Sequence, residues 1–161
     1  MIKVLFVCLG NICRSPMAEA VFRAKVKEAR LEDKIAVDSA GTGSWHVGSA
    51  PHRGTQKILD KYGIDYKGIY ARQIEEKDFR EFHYIIAMDD DNLSYLQSMA
   101  KKHHPKEMKR LLDFLPDQPL RDVPDPYYTG NFSEVYKLID QGCDKLLNYI
   151  CEREGINVAQ R

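Results

Sequence analysis

The chain has 161 residues, of which 43% are hydrophobic and 30% are charged, a size and composition typical of one globular domain. Lysine and arginine together number 24, as do aspartate and glutamate, so the formal net charge is zero. Such a chain has no overall field that would attract nucleic acid or a membrane surface, and we predict neither as a partner.

The first predicted elements are a strand and a helix. Residues 2–7 (IKVLFV) are apolar except for one lysine, the pattern of a strand that is buried on both faces. This run is too short to cross a bilayer and lacks the cleavage site of a signal peptide. Ser15 and Pro16 predict the start of a helix, with Ser15 as the N-cap and Pro16 at the first helical position. Apolar residues at helical spacing extend this helix to about Ala29.

The middle of the chain predicts two more strands and two more helices. Residues 35–37 predict a short second strand, and residues 51–62 predict a helix that Gly63 ends. Residues 84–88 (YIIAM) predict a third, buried strand. The three aspartates at 89–91 suit the first turn of the next helix, and a metal site there is much the weaker interpretation.

The last part of the chain predicts a fourth strand and a long helix. Residues 111–115 predict the strand, and a proline-rich loop follows it at residues 116–130. His103 and His104 cannot face one ion together on a helix, so we expect them to be solvated. An apolar stripe at helical spacing marks the final helix. Its members are Phe132, Val135, Tyr136, Ile139, Cys143, Leu146, Leu147 and Ile150.

Strands that alternate with helices predict an α/β fold. We expect one domain over residues 1–161, with a four-stranded parallel sheet that carries helices on both faces. In such sheets ligands bind beyond the carboxyl ends of the strands, and Cys8 lies at the end of the first strand.

The chain has four cysteines, too few for the disulfide framework of a secreted protein of this size. Cys8 and Cys13 lie in the opening stretch, whereas Cys143 and Cys151 lie on the last helix and are expected in the core. None has the spacing of a metal site. The cysteines therefore favour a reducing cytoplasm, and no set of residues calls for a metal or a cofactor.

The segment CLGNICRS, residues 8–15, joins the first strand to the following helix. A short loop before a helix N-terminus points several backbone N–H groups into one site, and the helix dipole adds positive charge there. Gly10 allows a close approach, and Asn11 tolerates the left-handed conformation of a tight turn. Arg14 adds a planar fork for two phosphate oxygens. The loop is therefore predicted to bind a phosphate-sized anion.

Cys8 is expected at the bottom of this site. The positive environment favours its thiolate form, and a thiolate beneath a phosphoryl group is a nucleophile for phosphoryl transfer. We expect the Ser15 hydroxyl to hydrogen-bond to the sulfur and to improve it as a leaving group in a second step. The alternative is a buried cysteine that ends a strand, with Arg14 on the surface. The Gly-Asn turn and the Ser-Pro helix start argue against that alternative.

The motifs CLGNICRSP, MAEAVF, VDSAGT, ARQI, YIIAMD and VPDPYY resemble the low-molecular-weight protein tyrosine phosphatase family over nearly the whole chain. The resemblance implies that Cys8 attacks phosphorus to give a phosphocysteine, while Arg14 and the loop amides hold the phosphate oxygens. It implies protein substrates that carry phosphotyrosine, and inhibition by phosphate or vanadate-like anions. The phosphate-binding loop that it implies also contains Leu9, Gly10, Asn11, Ile12, Cys13 and Ser15.

The resemblance assigns Asp125 as the general acid and base. Independently of it, a leaving oxygen departs more easily beside a proton donor. The two flanking prolines stiffen the loop that would hold this carboxyl group. From the residues alone, an ordinary Asp-Pro turn is an equally good interpretation.

The resemblance also implies which residues contact the substrate ring and which hold the phosphate loop in shape. It implies that Trp45, Tyr127 and Tyr128 receive a phenyl ring, in keeping with aromatic stacking. Ordinary loop packing is the alternative, more so for one of the two tyrosines than for Trp45. Asn11 and Ser39 match family positions that hydrogen-bond to each other and hold the phosphate loop in shape.

Members of the family differ from one another at three of the positions in this chain. The resemblance implies that Ile12 goes with phosphotyrosine, whereas a threonine there goes with phosphoarginine. Members that have both Cys8 and Cys13 form a reversible disulfide that protects the nucleophile, and packing under the loop is an equally good interpretation of Cys13. Ile69 stands where many members carry a histidine, so part of the support network differs in this chain.

Three other functions fit parts of the pattern. A phosphoarginine phosphatase shares the chemistry, but Ile12 argues against it. An arsenate reductase on the same fold needs further cysteines to relay a disulfide, and none occurs between Cys13 and Cys143. A silent phosphate-binding module would have no use for a nucleophile and a proton donor.

Overall fold

The computed structural model describes residues 1–100 and 102–157. Within this part of the chain the strands are β1 Ile2–Cys8, β2 Ile35–Gly41, β3 Tyr84–Ala87 and β4 Glu107–Arg110. The helices are α1 Arg14–Glu28, α2 Arg53–Lys61, α3 Asp78–Glu81, α4 Asp90–Met99, α5 Pro126–Thr129 and α6 Phe132–Glu154.

The strands form one four-stranded parallel sheet in the order β2-β1-β3-β4. Cys8 of β1 lies beside Gly41 of β2, and Val7 lies beside Ala87 of β3. Ala87 in turn pairs with Arg110 of β4. The carboxyl ends of the strands therefore lie along one edge, where the segments that follow them meet. The predicted α/β fold class is confirmed.

The side chains of β1 alternate between two buried clusters. Phe6 packs with residues of α1 and α6 on one face of the sheet. Val7 packs on the other face with residues of α3 and α4, such as Phe79 and Leu96. Helices therefore cover both faces, as predicted. A central strand that is buried on both sides reads as a nearly continuous apolar run, which is why the sequence located it correctly.

The fourth strand does not lie where the sequence placed it. The prediction for residues 111–115 is wrong, because β4 is Glu107–Arg110 and Leu111–Phe114 form a short 3-10 helix. β4 is at the edge of the sheet, where its charged and half-buried side chains are tolerated. The apolar residues after it pack on α6 instead. A Cβ atom on Gly142 of α6 would lie only 2.7 Å from Leu111 Cγ.

The start of α1 also differs from the prediction. The helix begins at Arg14 with Cys13 as its N-cap residue, and no side chain caps it. Ser15 is therefore not the N-cap, and Pro16 is the third helical residue instead of the first. Pro16 is tolerated there because the N–H groups of a first turn have no partner within the helix. The Ser15 hydroxyl lies instead 2.9 Å from Cys8 Sγ.

The other predicted elements are present and differ from the predictions only in their ends. β2 extends beyond the predicted residues 35–37 to Gly41. α2 begins at Arg53, after His52, whose Nδ1 accepts a hydrogen bond from the Gly54 N–H at 3.0 Å. Gly63 follows this helix with a φ of 66°, in keeping with its predicted role as a stop. The short helices α3 and α5 were not predicted.

The long final helix is confirmed, and it carries the predicted core cysteines. Cys143 and Cys151 are 0% and 5% exposed. Asp89 caps α4, as the aspartate run predicted, by accepting from the Asn92 N–H. Among the helices of the described residues, none combines the length and the apolar character that a membrane span requires.

Candidate active site

Residues 8–13 connect β1 to α1 in a tight loop around the sulfur of Cys8. Asn11 has a φ of 57°, in the left-handed region that asparagine tolerates better than most residues. The turn directs the Asn11 N–H to Cys8 Sγ at 3.3 Å. Gly41 lets β2 approach the loop closely, since a Cβ atom there would lie 2.9 Å from the Leu9 carbonyl oxygen. The backbone of this loop therefore encloses a buried thiol.

The side chain of Asn11 holds the loop through three hydrogen bonds. Its Oδ1 accepts from the Arg72 N–H at 3.0 Å, which leaves both Nδ2 protons for other partners. These protons go to Ser15 Oγ at 2.7 Å and to Ser39 Oγ at 3.0 Å. Asn11 and Ser39 thus make the contact that the sequence analysis predicted. Because Ser15 Oγ accepts from Asn11, its own proton can be donated to Cys8 Sγ, 2.9 Å away.

Ile69 adds no polar group to this network. Its side chain is 3% exposed and belongs to the large core cluster. A histidine at this position could donate or accept a hydrogen bond, whereas isoleucine can only pack. In this chain the loop is therefore held by Asn11 with the Arg72 backbone and the serines.

Arg14 is buried and lines the cavity beside Cys8, with 2% of its surface exposed. Its Nη1 donates to Asp89 Oδ2 at 2.6 Å and to the Val123 carbonyl oxygen at 3.0 Å. Its Nη2 donates to Asp125 Oδ2 at 3.3 Å, and its Nε is buried without a partner among the described residues. Burial opposes the charged form, but the charges nearby, that of Cys8 foremost, hold the pKa of Arg14 above its usual value. A permanent cation with an unused donor is suited to bind an anion.

Asp89 was not connected with the site by the sequence analysis, which predicted it only as part of a helix start. Its Oδ1 does accept from the Asn92 N–H at 2.8 Å, while its Oδ2 accepts from Arg14. The contact arises because β3 is the neighbour of β1 in the sheet, so the residue that follows β3 reaches the loop that follows β1. An aspartate run directly after a predicted parallel strand was the signal that could have identified it.

A cavity of about 210 Å³ opens at Cys8 and brings the predicted residues together. Asp125 reaches it from the proline-rich segment, where it caps α5 by accepting from the Tyr127 N–H at 3.1 Å. Ser39 lies behind the loop and Asn11 is buried within it, and each is 1% exposed. The residues that line the cavity are Cys8, Leu9, Gly10, Ile12, Cys13, Arg14, Trp45, His46, Asp125, Tyr127 and Tyr128.

The mouth of the cavity carries three exposed aromatic side chains. Trp45, Tyr127 and Tyr128 are 71%, 53% and 75% exposed, although they are large and largely apolar. Their convergence on one cavity suits an aromatic ligand that can stack between them. His46 also lines the cavity, with its ring centroid 6.4 Å from that of Tyr127, and the sequence analysis missed it. Its position next to Trp45 in the chain was the available signal.

Cys13 lies in the same loop as Cys8 but in an apolar setting. It packs with Ile12 and Ala71 and is 3% exposed. Burial, followed by repulsion from the charges of Cys8 and Asp125, raises the pKa of Cys13 to about 12. Cys13 is therefore a neutral thiol at physiological pH, and both loop cysteines are free thiols in this structure. The disulfide between them stays a prediction.

Glu19 of α1 is a buried carboxyl group behind the loop, and the sequence analysis missed it. It is 7% exposed, and its Oε1 accepts from the Ser39 hydroxyl at 2.6 Å. Burial raises the pKa of Glu19 to about 7, although the bond from Ser39 acts in the opposite direction. A lone acidic residue among the apolar residues of MAEAVF was the signal of a buried carboxyl group.

The raised pKa of Glu19 makes the stability of the fold depend on pH. Between about pH 4.5, the usual value, and about pH 7, the folded chain binds a proton that the unfolded chain releases. Glu19 therefore lowers the free energy of unfolding, and this destabilisation increases as the pH rises through this range. The free energy of unfolding of Glu19→Gln, relative to that of wild type, should therefore rise by up to about 3 kcal/mol between about pH 4.5 and about pH 7. Urea unfolding at several pH values measures this difference.

The matched control for this measurement is Glu28→Gln, since Glu28 is exposed on the same helix. Its unfolding free energy should follow that of wild type at every pH. A difference between Glu19→Gln and wild type that stays constant from acid to neutral pH would show that Glu19 does not titrate in this range.

The weaker candidate residues take no part in the cavity. His103 and His104 are exposed, as predicted. In the ranges 1–100 and 102–157, no group of three histidine, cysteine, aspartate or glutamate side chains is arranged to hold a metal ion.

Comparisons with known proteins agree on one family. The family model for low molecular weight phosphotyrosine protein phosphatase matches residues 3–156. The low molecular weight protein-tyrosine-phosphatase YfkJ of Bacillus subtilis strain 168 is 58% identical over 147 residues, which cover 91% of this chain and 94% of that protein. The low molecular weight protein-tyrosine-phosphatase PtpA of Staphylococcus aureus strain MRSA252 is 47% identical over 150 residues, covering 93% and 94%. The crystal structure of YfkJ matches the fold with a TM-score of 0.90 and 56% identity, covering 96% of this chain and 97% of that one.

Proposed function

Because the chain belongs to the low molecular weight protein-tyrosine phosphatase family, we propose that it hydrolyses phosphotyrosine in proteins, and small aryl phosphates, through a cysteinyl-phosphate intermediate. The observation that carries this mechanism is the convergence of three groups on one cavity. They are the thiol of Cys8, the guanidinium of Arg14 with its unpartnered Nε, and the carboxyl group of Asp125. A nucleophile, an anion clamp and a proton donor are what this reaction requires.

The phosphoryl group of the substrate is placed in the loop of residues 8–13. The loop N–H groups and the positive end of the α1 dipole attract its charge, and Arg14 supplies donors for its oxygens. Asp89 holds the guanidinium in place through the contact of 2.6 Å to Nη1. Free phosphate and vanadate offer the same oxygens to the same donors, so both are proposed as inhibitors.

In the first step the Cys8 thiolate attacks phosphorus. A bond forms between sulfur and phosphorus, and the bond between phosphorus and the tyrosyl oxygen breaks. Asp125 gives its proton to that oxygen, so that a neutral phenol leaves instead of a phenolate. Arg14 and the loop amides bind the charge that spreads over the phosphoryl oxygens in the transition state.

In the second step water attacks the phosphocysteine. Asp125, now a carboxylate, takes the proton of the water, and the bond between sulfur and phosphorus breaks to release phosphate. The leaving group is the Cys8 thiolate. The Ser15 hydroxyl, 2.9 Å from Cys8 Sγ, donates to the sulfur and stabilises its negative charge as it departs.

The walls of the cavity support an aryl substrate. Trp45, Tyr127 and Tyr128 line a mouth into which a flat ring can enter with its phosphate directed at the loop. Ile12 lines the same cavity and presents an apolar side chain to the substrate. A phosphoarginine substrate would place a polar guanidinium against this apolar side chain without a hydrogen bond from it.

The other functions have less support. A disulfide relay, as in an arsenate reductase, would have to reach Cys143 or Cys151, and both are packed in the core on α6. A silent phosphate-binding module would not need Asp125 to line the cavity. A reducing compartment such as the cytoplasm suits the proposed chemistry, because the nucleophilic thiol must stay reduced.

The proposed substrate class is tested by a release assay for inorganic phosphate. Peptides of one sequence that carry phosphotyrosine, phosphoserine or phosphoarginine are compared, together with p-nitrophenyl phosphate in the presence of a chelator. We expect turnover of the aryl phosphates to survive chelation, and kcat/KM for phosphotyrosine to exceed the other two by about 10²-fold or more, since the cavity discriminates by ring stacking and by leaving-group protonation.

Two results would contradict the proposal. A preference for phosphoarginine would assign the chain to the other branch in spite of Ile12. A failure of the wild-type protein to turn over any phosphate ester, while it still binds phosphate, would favour the silent binding module.

A further inference from the structure

A buried chain of hydrogen bonds links Glu19 to the sulfur of Cys8. It begins at Glu19 Oε1, which accepts from the Ser39 hydroxyl at 2.6 Å, and Ser39 Oγ accepts from Asn11 Nδ2 at 3.0 Å. Asn11 Nδ2 also donates to Ser15 Oγ at 2.7 Å, and Ser15 Oγ lies 2.9 Å from Cys8 Sγ. No member of the chain is more than 7% exposed. Water therefore does not replace these bonds.

The direction of each bond follows from the number of protons available. Asn11 Oδ1 accepts from the Arg72 N–H at 3.0 Å, which fixes the orientation of the side-chain amide. Both Nδ2 protons of Asn11 are therefore donated to the serine oxygens. The proton of Ser39 must then go to Glu19, and a carboxylate accepts it more strongly than a carboxylic acid does. A stronger acceptor at this end makes Ser39 Oγ a better acceptor for Asn11.

Asn11 is the residue whose backbone most needs such support. Its φ of 57° is left-handed, which costs free energy in an L-residue other than glycine. That conformation is also what directs the Asn11 N–H to Cys8 Sγ at 3.3 Å. A weaker bond between Ser39 and Asn11 therefore allows the amide of Asn11 to turn away from the sulfur and from a bound anion.

The charge of Glu19 is not fixed by an ion pair. Among the described residues no basic side chain forms an ion pair with it. Asp38 of β2 opposes its negative charge, whereas Arg23 of α1 and Arg72 favour it from a distance. Arg72 is already held by Asp38 and Asp78, each at 3.1 Å. The result is a carboxyl group with a pKa of about 7, which changes charge within the physiological range.

We propose that Glu19 is a positioning residue of the active site, whose carboxylate tightens the phosphate loop through Ser39 and Asn11 and whose protonation loosens it. This inference rests on the proposed function, because its effect is read through the turnover of a phosphate ester. Glu19 does not touch the substrate. It acts only through the orientation of the loop amides around the anion.

The test compares wild type with Glu19→Gln from about pH 5.5 to about pH 8. The quantity is the ratio of the two kcat/KM values for p-nitrophenyl phosphate, in which the titrations of the substrate and of the other active-site groups cancel. We expect wild type to be faster by about tenfold at about pH 8, the effect of one hydrogen bond to a charged group. At about pH 5.5 Glu19 is protonated and the ratio should fall below about two.

A double-mutant cycle tests the route of the effect. Ser39→Ala disconnects Glu19 from Asn11, so adding Glu19→Gln to it should change kcat/KM less than about twofold at about pH 8. Glu28→Gln on the exposed side of the same helix is the matched control, with an expected ratio of about one at every pH. Thermal unfolding verifies that each variant is folded. If Glu19→Gln does not fold, the ratio of wild type to Ser39→Ala is read instead and should show the same dependence on pH.

Either of two results overturns the inference. One is a ratio that stays constant over the pH range, and the other is an effect of Glu19→Gln that is equally large with and without Ser39. Both leave the proposed function intact, since wild type turns the substrate over in each case. Absence of turnover by wild type would instead overturn the proposed function.

Discussion

Replacement of Cys8 by serine is expected to lower kcat for p-nitrophenyl phosphate by about 10⁴-fold or more, the order of loss that follows removal of a catalytic nucleophile. A serine hydroxyl at this position is neutral and a far weaker nucleophile than a thiolate. The proposed donors for the phosphate oxygens, the loop amides and Arg14, are unchanged. Binding of inorganic phosphate, measured by calorimetry, should therefore be retained or tightened, because the negative charge of the sulfur is gone.

The control for this experiment is Cys151→Ser, which changes a cysteine of α6 that does not line the cavity. It should keep kcat within about twofold of wild type if it is folded. A Cys8→Ser variant that keeps a substantial part of the activity would exclude Cys8 as the nucleophile. Loss of phosphate binding together with activity would indicate a collapsed loop, and circular dichroism and thermal unfolding would identify that case.

Replacement of Asp125 by asparagine is expected to slow the hydrolysis of phenyl phosphate by about 10²- to 10⁴-fold, the usual contribution of a general acid. Asparagine can still accept from the Tyr127 N–H, so the cap of α5 is kept while the transferable proton is lost. For 2,4-dinitrophenyl phosphate, whose leaving group departs without a proton, the first step should slow by less than about tenfold. Single-turnover kinetics with both substrates measure the difference.

Asp117→Asn is the matched control, because Asp117 is an exposed aspartate in the same proline-rich segment. It should leave both rates near those of wild type. Equal slowing of both substrates by Asp125→Asn would reject the role of this carboxyl group as an acid. It would favour a role limited to holding Arg14, to which Asp125 is bonded at 3.3 Å.

The parts of the fold that the sequence predicted correctly are those where one physical requirement dominates the choice of residues. β1 must be apolar on both faces, so its position is plain from residues 2–7. In the loop that follows, Gly10, Asn11 and Arg14 have the steric and electrostatic properties from which an anion site is predicted, and membership of a phosphatase family agrees with that prediction. Phosphate chemistry could therefore be predicted before the structure was known.

The errors arose where tertiary packing decides. β4 is a charged edge strand, and the apolar residues after it pack on Gly142, so the apolar pattern marked the wrong segment. Ser15 has the residue type of an N-cap, but its hydroxyl is taken by Cys8 and Asn11. The residue type of Ser15 does not show whether its hydroxyl caps the helix or bonds to the loop.

The residues that the sequence analysis missed join the site through tertiary contacts. Asp89 reaches Arg14 only because β3 is the neighbour of β1 in the sheet. Glu19 faces Ser39 only because α1 packs against β2. Strand order and helix packing bring these groups together, and neither can be read from the spacing of residues along the chain.

The proposed mechanism depends on a covalent bond between phosphorus and the sulfur of Cys8. Rapid quenching of the protein during turnover of p-nitrophenyl phosphate, followed by digestion and mass spectrometry, tests it most directly. The mechanism predicts one added phosphoryl group on the peptide that contains Cys8, in wild type and not in Cys8→Ser. With 2,4-dinitrophenyl phosphate, whose leaving group departs without a proton, Asp125→Asn should slow the second step more than the first and increase the amount of phosphorylated peptide. Turnover with no phosphorylated peptide at any quench time, or with the phosphoryl group on another residue, would exclude Cys8 as the nucleophile.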